Sequence, residues 1–204
     1  MLGPALRGVY AGGSWALGDY VPGRSDLDVA VVLAGPLSRA AADEMVAAAR
    51  HEALPCPARG LELVVYSAET AAAGLAEPGF ELNLNTGEGM ADLVELAGAT
   101  REPHWYAIDR SILAQRGVAL AGPPAQQMFS SPPRAVVVGL LAESMDWHRA
   151  HAADDDAVLN TCRAFHFARM GTWVSKTQAG RWMLDQPEAG ERIARALAAR
   201  ARQG

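Results

Sequence analysis

The 204-residue sequence has little of several features that mark other classes of protein. Its two cysteines, Cys56 and Cys162, lie far apart and form no CxxC pattern. This argues against a disulfide scaffold and favours reduced thiols in a cytoplasmic protein. No apolar run approaches the ~20 residues of a transmembrane helix, and the first residues lack the basic and then apolar order of a signal peptide. We therefore expect a cytoplasmic protein with no membrane partner.

The sequence also lacks a stripe of basic residues. Its net charge is −5 and its pI is about 5.5. A nucleic-acid groove needs clustered Lys and Arg, so we expect no nucleic-acid partner. The acidic balance leaves room for a small, cationic substrate. Half of the residues are hydrophobic, which suits one or two compact cores. We expect the protein to be a monomer.

The first half of the sequence alternates between strand and helix signals. Asp109 has the chemistry of an N-cap for a helix that Gly117 ends, and the VALAG segment that follows predicts a short strand. An Ala-rich segment predicts a helix at 37–53. Apolar and β-branched segments predict further strands at 6–11, 27–33, 61–67 and 80–85.

The composition changes near residue 128, and the sequence after it predicts helices alone. Ser131 is predicted as an N-cap with Pro132 at the first helical position, and Ser175 opens a capping box for a later helix. We therefore predict two domains, an α/β (α+β) domain at residues 1–128 and an all-α helical domain at residues 129–204.

Two aspartates, Asp26 and Asp28, stand one residue apart at the start of the second predicted strand. Since side chains alternate along a strand, both carboxylates face one side and Leu27 and Val29 face the other. Two like charges held so close repel each other unless a cation lies between them. Paired hard oxygen ligands of this kind indicate a divalent-metal site.

A Gly12-Gly13-Ser14 turn follows the first predicted strand and precedes a short predicted helix. Glycine lets a phosphate approach the backbone, and the N–H groups at the start of a helix attract anions. Alone, the pattern also fits a plain turn. Ser25, directly before Asp26, adds a second hydroxyl that can reach a phosphate oxygen. Gly13, Ser14 and Ser25 are therefore candidate nucleotide contacts.

A third carboxylate stands in the next predicted strand. Glu62 lies between Leu61 and Leu63 in an otherwise apolar segment; the alternative is that it occupies the solvent face of an edge strand. Together with Asp26 and Asp28 it predicts a catalytic set that holds Mg²⁺, as a pair of ions, and clamps a nucleoside triphosphate. Such a site neutralises the pyrophosphate leaving group and orients an in-line attack on the α-phosphorus.

The order of a Gly-Ser turn, an Asp-x-Asp strand and a later single carboxylate resembles the DNA polymerase β-like nucleotidyltransferase superfamily. The chain is further similar to the aminoglycoside (3'')(9) adenylyltransferases, which inactivate streptomycin and spectinomycin by transferring AMP from ATP. This similarity lies in GSWALGDYVPGRSDLDVAVV, LELVVYS, DRSILAQRGVALAGPP and VLNTCRAFHFARMGTWVSKTQAG. It implies a nucleotidyltransferase domain with a mixed β-sheet flanked by helices, a C-terminal helical bundle and a role in antibiotic resistance.

The resemblance also implies roles for individual residues. Glu62 becomes a metal ligand and the general base on the acceptor hydroxyl, and Ser14 and Ser25 become triphosphate contacts. Asp109 and Lys176 are added as nucleotide contacts. The assignment of Lys176 has a physical basis, since a cation in the first turn of a helix is disfavoured by the helix dipole unless an anion lies beside it. The alternative is a solvated surface lysine.

An acidic run, Asp154-Asp155-Asp156, opens a predicted helix. Asp155 and Asp156 are candidate contacts for the cationic groups of an aminoglycoside; the alternative is that the run only favours the helix start. The sequence thus indicates AMP transfer from Mg-ATP to a hydroxyl of a small cationic acceptor. Two alternatives stay open. One is the same chemistry on another small alcohol or on a protein hydroxyl, as in nucleotidyltransferase antitoxins, and the other is a catalytically inert nucleotide-binding relative.

Overall fold

The structure is a computed structural model that describes residues 5–56, 58–97, 100, 102–187 and 190–202. The strands of this part of the chain form one sheet, and they are β1 (Leu6–Ala11), β2 (Leu27–Leu33), β3 (Leu61–Ser67), β4 (Phe80–Gly87), β5 (Met90–Leu96) and β6 (Val118–Ala121). Their order across the sheet is β5-β4-β3-β2-β1-β6. β2 and β3 run parallel, and the other neighbouring pairs are antiparallel. The predicted mixed sheet is confirmed, and β2 and β3 lie at its centre.

Helices flank the sheet and then make up the C-terminal part of the chain. Those interspersed with the strands or directly after the last one are α1 (Gly13–Ala16), α2 (Arg39–Ala49), α3 (Ala68–Ala73), α4 (His104–Arg116) and α5 (Ala125–Met128). Those of the C-terminal part are α6 (Arg134–His151), α7 (Asp154–Met170), α8 (Lys176–Leu184) and α9 (Glu191–Ala201). Within the described ranges, no helix combines the length and apolar character that a membrane span requires.

Alternation along the central strands divides their side chains between two buried faces. Val31 and Leu33 of β2 belong to a cluster that α2 covers. Ala30 and Val32 belong instead to the opposite cluster, together with Tyr66 of β3 and side chains of α3, α4 and α5. Because side chains two residues apart share a face, the carboxylates at the start of these strands point to the side of the sheet that carries α4.

Helix α4 connects the sheet to the C-terminal helices. Its Ile108 and Ile112 pack with Val137 of α6, Phe167 of α7 and Trp173 in one buried cluster, while its Tyr106 and Leu113 pack on the sheet. A second helical cluster joins α7, α8 and α9 through buried side chains, which are Cys162, Ala179, Met183 and Ile193. The side of α4 that faces α7 therefore adjoins the carboxylate face of the sheet.

Several predicted element boundaries are wrong. Helix α4 begins at His104, after Pro103, and not at Asp109, which lies inside it. Ser131 does not cap α6, because its hydroxyl instead donates to Ser111 Oγ at 2.8 Å and the helix begins after Pro133. The helix predicted at 37–53 is shorter and spans Arg39–Ala49, with the Ser38 side chain as its N-cap. The capping box at Ser175 is confirmed, with Gln178 as its partner.

Candidate active site

The sheet brings the predicted carboxylates together on one face. Asp28 of β2 and Glu62 of β3 are register partners on the two parallel strands. Asp26 lies directly before β2, two residues from Asp28, and therefore on the same face. Since β3 is paired on both sides, by β2 and β4, the alternative that Glu62 lies on an edge strand is wrong.

Burial and mutual repulsion shift the pKa values of this group. Burial, together with the charge of the neighbouring Asp26 carboxylate, raises the pKa of Asp28 to about 6. Burial likewise raises the pKa of Glu62 well above its usual value, with Asp28 and Asp26 acting in the same direction. A cation placed among these carboxylates would offset their burial and mutual repulsion most effectively.

The chemistry of the three carboxylates fits a hard divalent cation. The buried Oδ1 atom of Asp26 has no well-aligned hydrogen bond; its nearest cationic partner is Arg59 Nε, at 3.1 Å. Among the residues that the structure describes, however, no three His, Cys, Asp or Glu side chains are grouped closely enough to hold a metal ion as they stand. The predicted ligands thus share a face and interact electrostatically, without forming a coordination shell.

The glycine turn packs directly against this carboxylate face. The Gly12 N–H donates to the backbone oxygen of Asp28 at 2.9 Å. Gly13 has a φ of +49°, and a Cβ atom there would overlap the Asp28 carboxylate. Ser14 follows it in α1, half-buried. The turn therefore requires glycine at position 13 for two reasons, backbone conformation and close approach.

Ser25 occupies a buried position next to Asp26. Its Oγ accepts a hydrogen bond from the Val21 N–H at 3.0 Å. A hydroxyl that accepts in this way still has its proton to donate. Ser25 can therefore both hold the loop before β2 and donate to a phosphate oxygen.

Asp109 reaches the same face from α4. Burial raises its pKa to about 7, and the charge of Asp28 acts in the same direction. Arg163 of α7 lies close to both carboxylates: burial lowers its pKa, while Asp109 and Asp28 oppose that shift. Sequence reasoning missed Arg163, because a single arginine within an amphipathic helix carries no local signal of its surroundings.

Lys176 begins α8, and it is the only lysine of the sequence. Its Nζ lies 3.1 Å from Asp156 Oδ1, and burial lowers its pKa while Asp156 opposes the shift. The alternative of a solvated surface lysine is therefore wrong. That it is the sole lysine was a signal in the sequence that pointed to a specific role.

The acidic run opens α7 as predicted. No side chain caps this helix, so the run contributes to the helix start through its charge alone. Asp155 Oδ2 and Asp156 Oδ2 instead lie 2.5 Å and 3.0 Å from Arg24 Nη2. The two candidate acceptor contacts thus lie together, paired with cations of the same chain.

An aromatic group formed by side chains of α4 and α6 was also missed. Trp105 and Trp147 each contact the His148 ring edge-on, with centroids 5.2 Å and 5.4 Å from it. Both indole N–H groups donate to the Glu102 carboxylate. His148 is near enough to Lys176 and Asp156 for their charges to act on its pKa, which burial lowers to about 4.

Comparisons with known proteins bear on the family and on the fold. Residues 2–77 match the family model described as "Nucleotidyltransferase domain". The crystal structure of spectinomycin adenyltransferase AAD(9) from Enterococcus faecialis with ATP and spectinomycin superimposes with a TM-score of 0.70. The match has 18% sequence identity and covers 99% of this chain and 84% of that one.

Two other results carry no argument about function. A toxin-antitoxin crystal structure with AMP-PNP matches with a TM-score of 0.31 and 16% identity, over 76% of this chain and 88% of that one. A comparison with curated protein sequences found no match. Residues 2–77 thus match the nucleotidyltransferase domain model, and the chain as a whole shares its fold with the spectinomycin adenyltransferase structure.

Proposed function

We propose that the protein transfers AMP from ATP to a hydroxyl group of a small cationic acceptor, an aminoglycoside of the streptomycin or spectinomycin type. The observation that carries this proposal is the register pairing of Asp28 with Glu62 beneath the glycine turn. In this proposal residues 1–128 and 129–204 are two domains, and the reaction takes place between them in a monomer.

Asp26, Asp28 and Glu62 are the residues that would hold Mg²⁺. When bound, Mg²⁺ supplies charge neutralisation on the triphosphate and on the departing pyrophosphate. The Glu62 carboxylate accepts the proton of the acceptor hydroxyl while the hydroxyl oxygen attacks the α-phosphorus.

The nucleotide is held from both parts of the chain. In this proposal the triphosphate contacts are the backbone around Gly13, the hydroxyls of Ser14 and Ser25, and the Lys176 ammonium, whose charge acts on Asp26 and Asp28. Lys176, which already pairs with Asp156, gains a second anionic partner when a triphosphate binds, and this further offsets its unfavourable place at a helix start. In this proposal Asp109 contacts the nucleoside part.

In this proposal Asp155 and Asp156 form the acceptor site, and the tryptophan group is a further candidate contact. Carboxylates select a cation, and aromatic faces favour cations and sugar rings alike. The fold shared with a spectinomycin adenyltransferase supports this class of acceptor. Binding between acidic side chains should weaken as NaCl rises, since exposed charges are screened beyond ~8 Å at physiological ionic strength.

A pyrophosphate-release screen tests the proposal. ATP, GTP, CTP and UTP are each combined with a panel of aminoglycosides and neutral polyols in the presence of Mg²⁺, with Asp26→Asn as the inactive control. We expect release with ATP and a streptomycin- or spectinomycin-type acceptor. Release with polyols alone would move the acceptor to another class, and no release with any pair would contradict the proposed reaction.

A further inference from the structure

The loop between α1 and β2 places an arginine on the proposed acceptor site. The Arg24 guanidinium contacts Asp155 Oδ2 at 2.5 Å and Asp156 Oδ2 at 3.0 Å, although these acids lie in α7. The three side chains are only 17%, 20% and 25% exposed. Charge-assisted hydrogen bonds that are shielded from water are stronger than exposed ion pairs, so this contact is more than incidental surface pairing.

The acidic pair is already neutralised by its own chain. Asp156 also lies 3.1 Å from Lys176 Nζ and 3.8 Å from Arg200 Nη1. Two carboxylates therefore face three cationic groups. While Arg24 keeps this position, a cationic acceptor meets no uncompensated negative charge at Asp155 and Asp156.

We propose that Arg24 is an internal competitor for the acceptor. Its guanidinium occupies the carboxylate pair that the acceptor cation must take, so acceptor binding requires Arg24 to be displaced. The inference rests on the proposed function, because it takes Asp155 and Asp156 as the acceptor site. Arg24 thereby sets the affinity for cationic acceptors and disfavours weakly charged compounds, which cannot replace it.

The surroundings of Arg24 allow this displacement. Gly18 and Gly23 both have positive φ values, and no atom lies within 4 Å of a Cβ built at either position. Arg24 borders a cavity of about 350 Å³ whose other lining residues include Arg59 and Ala153. The guanidinium can therefore leave the carboxylates for open space while the Val21–Ser25 turn behind it stays formed.

The test is calorimetric titration of streptomycin in the presence of Mg²⁺ and a non-hydrolysable ATP analogue. Arg24→Gln removes the charge and should bind the drug about tenfold more tightly, the effect of removing one well-placed charged competitor. Arg24→Lys keeps a charge but loses the planar fork that reaches both carboxylates, so it should lie between wild type and Arg24→Gln. Arg39→Gln, which removes an exposed pair with Asp43, is the matched control and should leave the affinity unchanged.

A double variant separates competition from a general effect on the fold. The gain from Arg24→Gln should disappear when Asp155→Asn is already present, because the competitor then has lost its main partner. Thermal melting identifies any variant that does not fold, and Arg24→Lys then provides the comparison. Equal or weaker binding by a folded Arg24 variant, or a gain that persists with Asp155→Asn, would overturn the inference.

Pyrophosphate release by the same variants keeps the two proposals distinct. Tighter binding by Arg24→Gln without release by any variant would support the competitor and contradict the transfer reaction. Pyrophosphate release by the wild type, with no gain in streptomycin affinity in Arg24→Gln, would support the transfer reaction and contradict the competitor. If streptomycin and spectinomycin bind neither wild type nor Arg24→Gln, both the acceptor site and the competitor are wrong.

Discussion

Asp28 and Glu62 are register partners on the parallel strands β2 and β3, and the charge of Asp28 adds to burial in raising the pKa of Glu62. Such a pair is unfavourable for the protein alone, since two partly buried carboxylates repel. It becomes favourable when a cation binds. The stability of the folded protein should therefore depend both on pH and on bound metal.

The first prediction follows from these raised pKa values. In the folded protein the pKa of Asp28 is about 6 and that of Asp109 about 7, above the ~3.9 of an unfolded aspartate. The folded state thus binds more protons between these values, and its stability must fall as pH rises through this window. With EDTA present, the free energy of unfolding should decline from pH 5 to pH 8.

Asp28→Asn isolates one part of this decline. It should stabilise the metal-free protein at pH 8 by on the order of 2–3 kcal/mol, from about 1.4 kcal/mol per pKa unit. At pH 5, which lies between the unfolded and folded pKa values, the gain should be roughly half as large. Asp43→Asn, on the exposed face of α2, should show no such pH dependence. Urea unfolding at both pH values measures this, and an equal effect of Asp28→Asn at pH 5 and pH 8 would contradict the burial and repulsion described here.

The glycine turn gives a second prediction. Gly13→Ala and Gly18→Ala both place a side chain at a positive φ, but only the first brings it onto the Asp28 carboxylate. Gly18→Ala should cost about 1 kcal/mol from backbone strain, and Gly13→Ala clearly more. Their difference in unfolding free energy measures the close approach, and equal costs would mean that the turn does not press on Asp28.

Glu62→Gln tests the proposed base. The amide keeps the size of the side chain but cannot take up the proton, so turnover should fall by about 10²–10⁴. ATP should still bind in calorimetry with Mg²⁺. Unchanged turnover would leave Glu62 as a structural residue of β3.

Because Lys176 is the only lysine, amine chemistry can report on the nucleotide site. A lysine-directed reagent should modify Lys176 and the N-terminal amine. Mg-ATP should slow only the modification of Lys176. The N-terminal amine is the internal control within the same sample. Equal rates at Lys176 with and without Mg-ATP, read by mass spectrometry, would remove it from the nucleotide site.

Local patterns in the sequence predicted the parts of the fold that depend on neighbouring residues. The strands β1, β2 and β3 and the Ser175 capping box follow from alternation and capping chemistry, and they are confirmed. β5 was missed, because its residues Leu93 and Val94 are exposed and its signal is broken by polar neighbours. Asp109 was placed at a helix start because aspartate favours that position, whereas tertiary packing holds it within α4.

Contacts between distant segments could not be predicted from such patterns. The contact of Arg24 with Asp155 joins residues 131 positions apart, and the approach of Arg163 to Asp28 depends on how α7 packs on α4. Each contact depends on the tertiary structure, and no pattern in the local sequence indicates it. The aromatic group of Trp105 and Trp147 was missed for the same reason, since its members come from two helices.

The central claim is nucleotidyl transfer by the carboxylates of β2 and β3, and tracing the label of ATP tests it most directly. Wild type and Asp28→Asn are incubated with Mg²⁺, streptomycin or spectinomycin, and ATP labelled at either the α- or the γ-phosphate. We predict that the α-label moves to the acceptor, that the γ-label leaves as pyrophosphate, and that Asp28→Asn lowers transfer by at least ~10²-fold. Transfer of the γ-label, or transfer by Asp28→Asn within about tenfold of wild type, would contradict the account.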